Sequence, residues 1–366
     1  MNKIATIEFL RIFFSMAIVY FHILHSNIIN YANGVSRYLE LAKSSGHAGY
    51  IVECFFIMSG YFLYLSIQKG QESFLQFLIR KVIRLWPVLA FSTIFIFVFG
   101  RVTASGLFTQ LLNLLFLQCV GLSLEYKGIN WYLSPLFWGL LFYFNLYKNL
   151  DKQKSIFITV VLIYFAYLAN ISFTNGGFGR ETVWGIVNLG ICRAFAGIGL
   201  GMVLAVLLEQ LDYIYIDKFN CRVKSILVSF FEIGIFASLC YYFFTPIKYN
   251  AFIVVPLFSI LFILFIKRVG YFSKALDCVV FSKLGKYSYS VYVMQQTSFW
   301  ILQRTLWKST IVNHVAICLT LSLLFSFLIG CITYYLIEKP ARKILKIIRV
   351  NSVNINEKGS HMIVEN

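Results

Sequence analysis

Apolar residues in this chain come in long unbroken runs rather than in alternation with polar ones. Residues 87–100 (PVLAFSTIFIFVFG) and 249–266 (YNAFIVVPLFSILFILFI) carry no charged side chain. About 20 mostly apolar residues are enough to cross a bilayer as a helix. Within hydrocarbon only helices and closed barrels satisfy their own backbone groups, and continuous runs favour helices over barrel strands. The pattern predicts an all-α, polytopic transmembrane bundle of ten spans, at about 7–28, 48–67, 86–104, 130–148, 155–174, 186–208, 225–244, 249–266, 285–304 and 311–337. The run 107–122 is apolar but short, with glycines at its flanks. It is expected at the interface or packed between helices.

Composition supports this reading and excludes a soluble one. Apolar residues make up 59% of the chain and charged residues only 13%, too much apolar surface for one water-soluble core. The net charge of +17 acquires a meaning once the loops are sorted. With the N-terminus inside, and with residues at the soft span ends counted to the adjoining loops, 22 Lys and Arg fall on the inner side and 8 on the outer, leaving Arg11 and Arg193 inside spans. That asymmetry obeys the positive-inside rule and puts both termini in the cytoplasm of a multi-pass inner or plasma membrane protein. Basic charge spread over one membrane face, without a basic reader motif, argues against nucleic acid as a partner. The first apolar run carries Glu8, Arg11 and His22 and no small-residue cleavage pattern, so it is expected to stay as a span. Eight scattered cysteines form neither a metal motif nor a disulfide framework. Residues 1–350 read as one integral-membrane domain, and 351–366 as a polar, disordered cytoplasmic tail.

Ionisable groups inside a span are costly and mark function by default. The first span holds Glu8, Arg11, His22 and His25. Eleven positions from Arg11 to His22 make three turns with roughly 20° left over and a rise of about 16 Å, so both side chains share one face. Glu8 is spaced to pair with Arg11. The plainer alternative is that Arg11 snorkels to the interface and the histidines bond neighbouring helices. The second span carries Glu53 and then Ser59-Gly60, a site for close helix approach or a local irregularity. Arg80 and Arg84 sit i, i+4 before Pro87, which can begin the next span. They are either interface anchors or a clamp for a polyanion such as nucleotide phosphates. Arg193 is either a site residue or the structural partner of an acid such as Glu53.

Taken together, several blocks resemble the acyltransferase-3 family of integral-membrane O-acyltransferases. They are Arg11-x10-His22, Phe55-Phe56-Ile57-Met58-Ser59-Gly60-Tyr61, Arg80-x3-Arg84 with Pro87, and Asn130-Trp131-Tyr132-Leu133-Ser134. Later come Arg193-Ala194-Phe195-Ala196-Gly197-Ile198-Gly199, Leu284-Gly285-Lys286-Tyr287-Ser288-Tyr289-Ser290-Val291-Tyr292 and Glu338-Lys339-Pro340. The resemblance implies an acyl-CoA donor, usually acetyl-CoA, on the cytoplasmic side. The implied acceptor is a hydroxyl of a cell-surface polysaccharide or its lipid-linked precursor, a glycan or glycolipid handled among membrane lipid. It matches Arg11 and His22 to the family's essential Arg and His, and Arg80 and Arg84 to its Arg-x3-Arg element. Glu8 falls where the family usually has Asp before the Arg, Glu53 at another common acidic position, and Tyr289 within the late block. Two positions depart from the pattern: Leu136 stands where the family often has Glu, and Gln295 where it often has His. Neither of those groups can therefore serve this chain, which leaves the base to the first span.

The chemistry agrees with that assignment. Acyl transfer to an alcohol needs a base for the hydroxyl proton, and neutral imidazole suits the task. His22 is the candidate base, or a transient acyl carrier in a two-step variant, with His25 one turn away. Arg11, Arg80 and Arg84 are candidates to hold coenzyme A phosphates, Arg11 alternatively positioning the thioester carbonyl or orienting another carboxylate, and no metal is expected. Trp131 and Tyr132 either stack on sugar faces or belong to an interfacial aromatic belt. The competing readings are a transporter or flippase for a glycan or small molecule, and an enzyme of the same family using a succinyl donor or a small-molecule acceptor.

Overall fold

The computed structural model describes residues 4–25, 47–70, 72–99, 104–120, 128–185, 187–214, 222–244, 251–305 and 315–344. The expected tail 351–366, the expected ends of the first span past His25 and of the last before Val315, and most of the predicted outer loops lie outside the described residues. The described chain is a helical bundle. In order its helices are α1 (Ala5–Leu24), α2 (Ile51–Ile67), α3 (Phe74–Phe99), α4 (Ala104–Leu114), α5 (Leu133–Asn149), α6 (Lys152–Thr174) and α7 (Leu189–Ile214). They continue with α8 (Arg222–Phe244), α9 (Val254–Lys267), α10 (Tyr271–Leu276), α11 (Val279–Leu284), α12 (Ser288–Thr305) and α13 (Val315–Thr333). A small antiparallel hairpin, β1 (Thr182–Val183) with β2 (Val187–Asn188), precedes α7.

Seven of the described helices are long and apolar enough to cross a membrane: α1, α2 with its first turn, α3, α6, α7, α8, and α13 with its extension to Ile344. The other three expected spans, 130–148, 249–266 and 285–304, correspond to α5, α9 and α12. Helices α5 and α9 are short, at 17 and 14 residues. Helix α12 is polar for a different reason: Ser290, Gln295, Thr297 and Ser298 are all buried in the bundle. Ser298 Oγ donates to Gln295 O and meets Ser326 Oγ, and Thr297 meets Ser92 on α3. A helix wrapped by protein satisfies polar groups that lipid would leave orphaned.

The third expected span begins elsewhere than predicted. Helix α3 starts at Phe74, so the basic segment is its first half and Pro87 lies in its interior. Proline deprives the Ile83 carbonyl of its usual helical donor, a loss membrane helices tolerate when neighbours compensate. Of the run 107–122, residues 107–120 are described: Leu107, Phe108, Leu111 and Leu115 are exposed, while Leu112, Asn113 and Phe116 are buried, Asn113 bonding Thr93 of α3. After α4 the chain turns back at Phe116 (φ 57°). The Phe116 carbonyl accepts from Ser134 Oγ (2.6 Å) and Trp138 Nε1 (2.9 Å) on α5.

The centre of the bundle is the α2–α7 crossing. A Cβ on Gly60 would lie 1.9 Å from Ile198 O, and one on Gly201 would lie 1.9 Å from Ile57 O. The two backbones touch, which is the approach that small residues permit in membranes. Helices α1 and α12 run side by side in the same direction. At one end Gly285, just before α12, abuts Glu8; at the other, His22 meets Gln295. After α13 the helix widens into a π-turn over Tyr334–Glu338 and then resumes.

Candidate active site

Two charged or titratable groupings lie along the α1–α12 pair, one near each end. At the start of α1, Arg11 Nη1 donates to Glu8 Oε1 at 2.9 Å, and its guanidinium lies 5.0 Å from the centre of the Phe62 ring. Arg84 of α3 stands within electrostatic range of Arg11, Arg342, Glu338 and Arg80. Lys81 is similarly close to Arg84, Arg80, Glu72 and Arg11. Arg342 Nη2 and Ser290 Oγ both donate to the buried Glu338 carboxylate. Arg84 keeps accessible surface although groups on α1, α12 and the helix after the π-turn stand within its electrostatic range. Tyr289 Oη donates to Leu85 O, which fixes α12 against α3 beside Arg84.

The charges here do not balance. Among the described residues, Arg11, Arg80, Lys81, Arg84 and Arg342 have Glu8, Glu72 and Glu338 as the acids in range. Arg80 does not change this, because Glu72 takes it in a bidentate pair at 2.8 and 2.5 Å and Ser66 Oγ accepts at 3.2 Å. Arg80 and Arg84, expected to act on one face, have parted. Among the described residues Arg84 makes no ion pair. Like charges held together in a low-dielectric setting are unfavourable unless an anion joins them.

The second grouping lies about 16 Å further along α1. His22 is half-buried, and its Nδ1 lies 2.9 Å from Gln295 Oε1. Arg180, before the hairpin, and His25 are the charged or titratable groups within its electrostatic range. His25 is exposed at the end of α1, with Nδ1 2.9 Å from Phe21 O; it closes the helix and does not enter the bundle. The turn Ile129–Tyr132 leans on this region. Tyr292 Oη, one turn before Gln295, donates to Ile129 O, and Ile129 packs on the cluster that contains Val19 and Ile23.

Arg193 takes the structural alternative. Its Nε donates to Glu53 Oε1 at 2.5 Å, Nη1 to Gly179 O at 3.3 Å and Nη2 to Gly49 O at 3.5 Å. Its guanidinium lies 5.0 Å from the Trp131 ring centre and 5.3 Å from that of Phe178. Glu53 is 0% and Arg193 3% exposed. The group ties the start of α2, the segment before the hairpin and α7 together. Trp131 and Tyr132 are both buried, so they form no interfacial belt. Trp131 covers Arg193, and Tyr132 packs edge-on to Tyr292. Ser59 is half-buried beside the Gly60 contact.

Three groups escape a reading of the sequence. Gln295, set aside as a departure, is the partner of His22. Lys81 and Arg342 join the cation cluster. Lys81 sits three positions before Arg84, a spacing that places both near one helical face, and Arg342 follows Glu338 at i+4; both had looked like interface anchors.

The family model for the acyltransferase domain matches residues 4–336. No curated protein and no solved structure gives a match to the chain.

Proposed function

The chain belongs to the acyltransferase-3 family, and from that premise we propose that it moves an acyl group from an acyl-CoA to a hydroxyl of a cell-surface polysaccharide or its lipid-linked precursor. Acetyl-CoA is the donor to test first. The observation that carries this reading is the surplus of cations around Arg84, set about 16 Å along α1 from an imidazole. A polyphosphate headgroup would balance the surplus, and a linear arm from it would bring a thioester toward His22. Arg84, Arg11 and Arg342 bind phosphate oxygens as forked donors, Lys81 adds charge, and Arg80 braces the helix that carries them.

His22 acts as general base. The imidazole removes the acceptor's hydroxyl proton as the oxygen attacks the thioester carbonyl. Collapse of the tetrahedral intermediate breaks the carbon–sulfur bond, and the imidazolium returns its proton to the departing thiolate. The products are an ester and free coenzyme A. In this reading the cations face the cytoplasm, where acyl-CoA is made, His22 lies toward the outer leaflet of a cell membrane, and both chain ends lie on the cytoplasmic side.

The test uses purified full-length protein with labelled acetyl-CoA and candidate glycans. Wild type transfers label to the glycan, and His22→Ala lowers the rate by about 10²- to 10⁴-fold. Full activity in that variant removes His22 as the base. Glycan uptake into vesicles without acyl transfer would make the chain a transporter instead.

A further inference from the structure

We propose that Gln295 is a positioning residue that holds His22 in the tautomer with its proton on Nδ1 and its lone pair on Nε2. This rests on the reading of His22 as the base, and it names what orients that base.

Gln295 is 0% exposed. Its Oε1 lies 2.9 Å from His22 Nδ1, while its Nε2 has no partner. Among the described residues the contact with the imidazole is therefore the side chain's only hydrogen bond. A buried amide with a single partner asks for an explanation beyond filling space. Turned as it is, with its amide oxygen toward the ring, Gln295 accepts from a hydrogen on Nδ1, and the ring's remaining nitrogen is left as a proton acceptor. A base whose lone pair points to the substrate needs its second nitrogen held in this way.

The backbone beneath Gln295 is rigidly placed. Its carbonyl accepts from Ser298 Oγ at 2.7 Å, and Ser298 also meets Ser326 of α13 at 2.8 Å. Thr297 and Tyr292 bond Ser92 and Ile129 O at 2.9 Å each. Helix α12 is thus fastened to α3, α13 and the Ile129–Tyr132 turn within one turn on either side of Gln295. An amide presented from such a helix can hold a ring to the tolerance that catalysis demands.

The experiment compares Gln295→Met, which keeps the length and loses the acceptor, with Gln295→Glu, whose carboxylate accepts but does not donate. The expected result is a fall in kcat of about 10²-fold for Gln295→Met, with the KM for acyl-CoA unchanged. Gln295→Glu should recover to within about tenfold of wild type. Undiminished kcat in Gln295→Met overturns the proposal, as does a Gln295→Glu enzyme as slow as Gln295→Met, since the amide would then be donating to His22. Should either variant fail to fold, nitrogen NMR on histidine-labelled wild type decides. The His22 signal, identified by its loss in His22→Ala, is expected from the Nδ1–H tautomer, and an Nε2–H signal overturns the proposal. If His22→Ala itself keeps full activity, the base reading fails. If His22→Ala is inactive while Gln295→Met is normal, only the role of Gln295 fails.

Discussion

Arg193 and Arg84 are both guanidinium groups on helices long and apolar enough to cross a membrane, and their surroundings differ in every respect that matters. Arg193 is dry, opposed one-to-one by Glu53, bonded to two carbonyls and covered by two aromatic rings. Arg84 is exposed, has no acid of its own, and stands among other cations. An ionic group saturated by its own chain has no bonding capacity left for a ligand. One left in surplus is stable only with a counter-ion from outside. Charge within the membrane thus serves two purposes here, and saturation tells them apart.

The strongest way to break the comparison is at the dry pair. Glu53→Ala leaves Arg193 buried and uncompensated, and stability should fall by about 3–5 kcal/mol. Thermal unfolding in detergent checks this, and an unchanged midpoint would mean that the pair is not structural. Next comes Arg84→Ala. Acyl-CoA binding should weaken about tenfold, the equivalent of one charge-assisted bond, with no loss of thermal stability. Titration calorimetry reads the first and unfolding the second; a large loss of stability would make Arg84 another structural ion. The smallest effect sharpens the boundary between the two classes. Glu72→Gln frees Arg80 to join the surplus, and binding should tighten about twofold at low salt and revert at high salt. Identical titrations at both salt concentrations would show that Arg80 cannot reach the cluster.

How much of this was legible depended on the kind of signal each residue left. Hydrophobic runs announce helices because a bilayer demands them, and every expected span has a helix at its position. Glu8 with Arg11, and Glu53 with Arg193, were visible as candidate partners because an acid in an apolar run stands out. Gln295 left no such mark. A neutral amide costs little to place in a helix, and its partner lies 273 positions away, so only the parallel course of α1 and α12 joins them. Arg342 was masked by abundance, since any basic residue past the last span reads as an anchor. Arg80 misled because i, i+4 spacing sets the face from which a side chain leaves, while Glu72 decides where its long stem ends.

The π-turn at Tyr334–Glu338 has a consequence for how this end of the chain tolerates change in length. A widened turn accommodates one extra residue in a helix, and each α-helical residue advances the azimuth by about 100°. Arg342 comes after that turn, so its bearing toward Arg84 is a matter of rotational phase. Losing one residue within the turn would let it close to an ordinary α-turn and leave Arg342 on its bearing, whereas losing one residue between the turn and Arg342 would act as a twist of about 100° and swing Arg342 out of the cluster.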